Sequence, residues 1–144
     1  ISNRRNLGSQ LMMSSLIIDT HILIWDQLDP KRVSKKARKA LDLAEKNHKI
    51  ILCEISLWEI SILMKKGRLV MDMSYLEFIE EVLQTKNYHL QGMNAEIAFL
   101  GSEIDKDTKD PADRIIAATS IVLGLPLISA DQFMLKSTEI KTIW

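Results

Sequence analysis

The chain carries a single cysteine, Cys53. An internal disulfide is therefore excluded, and a reducing compartment, the cytoplasm, is the expected setting. Cys53 sits in an apolar run, which suits a buried inert thiol better than a nucleophile. Charge of one sign is also missing: Lys plus Arg and Asp plus Glu both number 19. A broad basic footprint for nucleic acid is excluded, so any such surface needs local segregation of charge. No apolar run is long enough for a membrane span. The longest, Ile115 to Ala130, is shorter than ~20 residues and is interrupted by Gly124 and Pro126. The N-terminus lacks the continuous apolar core of a signal peptide. No glycine-rich loop follows the first apolar run, which argues against a nucleotide cofactor. The three histidines, His21, His48 and His89, are scattered without metal-ligand spacing.

What is present is the composition of one globular domain: 144 residues, 47% hydrophobic and 26% charged. Ile1 to Gln10 is polar. Residues 1–14 are expected to be a disordered leader or remnant, with natural starts at Met12 or Met13, and residues 15–144 the domain. Leu16-Ile17-Ile18 reads as a strand buried on both faces that delivers Asp19 to the carboxyl edge of a parallel sheet. His21 to Asp29 reads as an apolar turn. Ser34 opens a helix with Ala37, Leu41 and Ala44 on one face. Lys49 to Cys53 is a second buried strand. Ser56 to Glu59 has capping-box spacing and predicts a helix to about Lys66, closed by Gly67. Ser74 to Glu77 repeats the pattern. Tyr88 to Leu90 predicts a short strand, and Asn94 caps another helix. Asp110-Pro111-Ala112-Asp113 gives an N-cap, a first-position proline and an acid in the first turn of a helix ending at Gly124. Pro126 to Ser129 is a third core strand, and Ile140 to Trp144 an edge strand. Alternating strands and helices predict an α/β domain, its mostly parallel central sheet covered by helices on both faces.

Four acids fall just beyond a strand or in the first turn of a helix: Asp19, Glu59, Asp113 and Asp131. Each has a plain structural explanation as well. Glu59 answers Ser56 in a capping box, Asp113 favours the helix dipole, Asp131 caps the last short helix, and Asp110 is an N-cap. If the four converge, like charges raise one another's pKa and need compensation. Hard oxygen donors without a His or Cys cluster select Mg²⁺ or Mn²⁺ over Zn²⁺, and hydrated Mg²⁺ sites typically act on phosphates.

The segments LIIDTHILIW, SLWEI, DPADRIIAA and ISAD, in that order, resemble the PIN-domain ribonucleases, most closely the VapC-type toxins of bacterial toxin–antitoxin pairs. The resemblance runs from about Leu16 to Trp144. It implies a three-layer PIN-like fold and a metal-dependent endoribonuclease with Asp19, Glu59, Asp113 and Asp131 as catalytic and metal-binding acids. Asp110 matches a supporting acid. Ala112 and Thr108 stand where family members often have an aromatic and a His. The resemblance also implies a cognate antitoxin that blocks the site, and a homodimer; helical faces with spare apolar residues, such as Trp58, Leu63 and Met64, or Leu76, Phe78 and Ile79, are candidate interfaces, although such residues more often belong to the core. RNA needs basic side chains beside the acids; candidates are Lys65, Lys66, Arg68, Lys106, Lys109 and Arg114. The alternatives are a catalytically inactive PIN-like module that binds RNA or protein, and another Mg²⁺ phosphohydrolase. Asp19-Thr20-His21 lacks the second Asp that aspartyl-phosphate hydrolases use.

Overall fold

This computed structural model describes residues 15–47, 49–104 and 110–144. The expected leader, His48, Lys106 and Lys109 lie outside the described residues. Five strands form one sheet: Leu16–Ile18 (β1), Ile50–Cys53 (β2), His89–Gln91 (β3), Leu127–Ile128 (β4) and Thr142–Ile143 (β5). Their order is β3-β2-β1-β4-β5, and every pairing is parallel. The helices are Thr20–Leu28 (α1), Lys35–Asn47 (α2), Glu54–Lys65 (α3), Tyr75–Thr85 (α4), Ala95–Glu103 (α5), Pro111–Leu123 (α6) and Gln132–Lys136 (α7).

Side chains alternate across a strand, so each apolar run feeds two cores. Leu16, Ile18, Ile50 and Leu52 face one side and meet Ile22 of α1, Leu41 of α2, Ile60 of α3 and Phe78 of α4. Ile17, Ile51, Cys53 and Leu127 face the other and meet Ile116 and Ala117 of α6 and Met134 of α7. Both faces are covered, which is why β1 and β2 read as unbroken apolar runs. The helix boundaries follow local chemistry. Ser34, Ser74 and Asn94 each accept a backbone N–H from three residues on, at 3.1, 3.2 and 2.9 Å. Gly67 and Gly124 take the left-handed φ values of 71° and 65° that end α3 and α6.

Two expectations are corrected. The apolar stretch from His21 is no turn: Thr20–Leu28 is helical. Ile22, Leu23 and Ile24 are consecutive and all buried, so no polar stripe betrays the helical period. The capping box at Ser56 does not form either. α3 starts three residues earlier, straight out of β2, with Cys53 at the N-cap. Ser56 is therefore inside the helix and fully buried, its Oγ 2.8 Å from Thr20 Oγ1.

Candidate active site

Because all strands are parallel, the carboxyl ends of β1, β2 and β4 share one rim with the starts of α1, α3 and α7. Asp19 follows β1 directly. Its N–H donates to the Ile128 carbonyl at 3.0 Å, tying it to β4. It is the N-cap residue of α1, yet its carboxylate makes no capping bond. Asp110 and Asp131 behave otherwise: each accepts a backbone N–H with Oδ1, from Ala112 at 2.9 Å and from Phe133 at 2.8 Å. The plain capping role expected for these two is real, while the Asp19 side chain stays available.

Glu59 lies in the second turn of α3, not in its first turn as the capping-box spacing implied. Asp113 lies in the first turn of α6. One carboxylate oxygen from each of Asp19, Glu59 and Asp113 falls within 4.8 Å of the others. Asp131 is not in this trio, but its charge bears on Asp19 and Asp113; the Asp110 charge bears on Glu59 and Asp113.

Burial pushes the Asp19 carboxyl above its ordinary range, against the lowering effect of a hydrogen bond from Ser129. Burial, then Asp110, pushes Glu59 up to about 8. Burial, then the Asp19 charge, pushes Asp113 up to about 8. No Lys or Arg among the described residues forms an ion pair with the trio. Asp19 Oδ1 and Glu59 Oε1 are buried and accept no hydrogen bond. A buried carboxylate oxygen without a donor or cation is costly. A divalent cation ligated by the trio answers both orphan oxygens and the mutual repulsion, so the donor set fits a hard metal ion.

Three hydroxyl residues at the site carry no weight in a sequence reading based on acids. Ser129 Oγ donates to Asp19 Oδ2 at 2.7 Å and accepts the Asp131 N–H at 3.0 Å. Thr20 and Ser56 bond each other beneath the trio. The signal for them is a small hydroxyl in an otherwise apolar strand-to-helix junction. Of the expected basic residues, Lys65, Lys66 and Arg68 are exposed at the far end of α3. Arg114 is committed to the fold: Nε and Nη2 donate to the carbonyls of Gly101 and Ser102, closing the end of α5.

The sequence profile of the PIN domain matches residues 16–137. The chain belongs to the PIN-domain family. Ribonuclease VapC22 of Mycobacterium tuberculosis is 25% identical to this PIN domain over 121 residues, 83% of this chain and 89% of the relative. The solved structure of VapBC2 from Rickettsia felis, bound to a DNA fragment from their promoter, superposes with a TM-score of 0.65. That match has 14% identity and covers 89% of this chain and 96% of the other. A toxin–antitoxin complex from Klebsiella pneumoniae superposes at 0.58 with 20% identity, covering 87% and 94%. These structures share the three-layer α/β architecture of this PIN domain.

Proposed function

We propose that this PIN domain is a metal-dependent endoribonuclease toxin whose activity a cognate antitoxin blocks. One observation carries the reading: three carboxylates from separate elements converge within 4.8 Å, and two of them, Asp19 and Glu59, hold a buried, unpartnered oxygen. The name of the Mycobacterium tuberculosis relative and the toxin–antitoxin neighbours support it. Asp19 and Asp113 would be the principal ligands of Mg²⁺, with Mn²⁺ as substitute, and Glu59 would complete the set or position the attacking water. When bound, the cation supplies Lewis-acid charge at the phosphate and lowers the pKa of water. Water adds to phosphorus in line, the P–O3′ bond breaks, and a 5′-phosphate and a 3′-hydroxyl result. Ser129 is a positioning residue that fixes the Asp19 carboxylate. Asp131 and Asp110 line the pocket and keep its potential negative, which favours a cation. The same potential suits an antitoxin that inserts a guanidinium. The protein acts as a homodimer in a reducing compartment, the cytoplasm, in keeping with its single buried cysteine.

The test is cleavage of mixed RNA oligonucleotides in Mg²⁺, with and without chelator. Chelator is expected to stop cleavage, and Asp19→Asn to slow it by about 100-fold or more. An Asp19→Asn protein as fast as the parent overturns the assignment. RNA that is bound but left intact in Mg²⁺ favours the inactive binding module.

A further inference from the structure

Between Pro30 and Leu41 the sequence has six cations and no acid, in a chain of zero net charge. This segment follows α1 directly, and one aromatic ladder joins it to the acidic pocket. His21 is two residues beyond Asp19 and exposed. One helical turn on, Trp25 lies on the same face of α1, its ring centroid 6.1 Å from that of His21. The indole of Trp144, which follows β5 at the same carboxyl rim, is 5.7 Å from Trp25. The Arg32 guanidinium sits 4.4 Å from the centroid of the Trp25 ring. Among the described residues Arg32 forms no ion pair. Lys35 and Lys39 continue the track along α2 and line a shallow groove of about 460 Å³.

We propose that this ladder, His21–Trp25–Trp144 with Arg32, is the path by which single-stranded RNA leaves the catalytic pocket, bases on the rings and phosphates on Arg32, Lys35 and Lys39. The inference deepens the ribonuclease reading and rests on it. Aromatic faces and guanidinium planes accept any unstacked base, and alternating cations hold the backbone. Trp25 is about 9 Å along the helix from Asp19, roughly two to three stacked-base spacings. The rings are tilted by 53° and 51° between neighbours and form no closed stack, and Trp25 and Trp144 are each only half-buried. The path lies on the β5 side of the rim and uses none of Lys65, Lys66 and Arg68. A track of this kind binds flanking nucleotides without reading the scissile one, so it selects for single-stranded over duplex RNA.

The test separates the track from the reading beneath it. Trp58→Phe protein is titrated, in chelator, with a single-stranded RNA of about 12 nucleotides. Filter binding reports association, and intrinsic fluorescence then reports Trp25 and Trp144 alone. Quenching is expected to follow binding, and duplex RNA to bind and quench less. The pair Arg32→Glu and Lys35→Glu should weaken binding about tenfold or more and reduce its salt dependence. Trp144→Ala should weaken it several-fold, while Trp144→Phe, which keeps a stacking face, should restore most of it at unchanged Tm. RNA that binds without quenching, or that ignores the charge reversals, overturns the track and leaves the ribonuclease standing. Protein that neither binds nor cleaves RNA overturns both. Quenching by an antitoxin peptide but not by RNA assigns the ladder to a protein partner and overturns the proposal.

Discussion

Ser129 joins two acids that sequence reading treats as independent. Its hydroxyl donates a hydrogen bond to Asp19 and accepts one from the Asp131 N–H, and the residue is fully buried. Ser129→Ala strands both partners, so a stability loss of about 1–3 kcal/mol is expected by thermal unfolding. Cleavage should fall about 10–100-fold, as for other residues that orient metal ligands. Full activity in Ser129→Ala removes the positioning role. The raised carboxyls also set a pH dependence. Glu59 goes from 4.5 to about 8 and Asp113 from 3.8 to about 8, so the folded chain holds these protons more tightly than the unfolded one. The resulting stability is complete below pH 4 and disappears as pH rises to about 8. The Tm of metal-free protein should therefore fall across that window. Mg²⁺ should restore it near pH 8, and Asp113→Asn should flatten the fall. A Tm that climbs from pH 5 to 8 without metal contradicts the pocket as described.

The start of α6 combines two acids with different work. Asp110 caps the helix through Ala112 N–H, and Asp113 supplies one carboxylate of the trio. Asp110→Ala should cost about 0.5–2 kcal/mol and Asp110→Asn much less, because Asn still caps. Either change removes a charge that raises Glu59 and Asp113, so both carboxyls should titrate lower and the rise of cleavage with pH should begin earlier. Matched Tm values and pH–rate profiles for the two variants separate cap from charge. Helices α2, α4, α5 and α6 were legible because each announces itself with a cap residue and an apolar stripe. α1 was not, since Ile22, Leu23 and Ile24 are consecutive and all buried, which blurs the helical period. α3 misled because Ser56 and Glu59 have capping-box spacing while the helix begins at Glu54. The identities of the acids were legible from their places after strands. Which carboxylates are committed to capping was not, because that depends on where each oxygen points once β1 and β4 are paired.

Over the whole molecule, the exposed apolar residues bear on assembly. Tyr75 Oη donates to the Leu57 carbonyl at 2.6 Å, pinning α4 to α3. On either side of that bond Trp58 is 51% and Leu76 75% exposed, whereas Phe78 and Ile79 belong to the core. A symmetric dimer through this patch predicts that Trp58→Asp sediments as a monomer at micromolar concentration while the parent does not. Identical sedimentation of the two places the interface elsewhere. A last consequence follows from strand order. β1, the first of the five described strands, is the centre of the sheet, and its partner β4 is the fourth. The Ser129 to Asp19 bond spans 110 positions. In a nascent chain the Asp19 carboxylate therefore waits without its Ser129 partner until β4 has emerged and paired with β1. The acid that follows β1 thus stays apart from the one beyond β4 for most of the interval in which the domain is made.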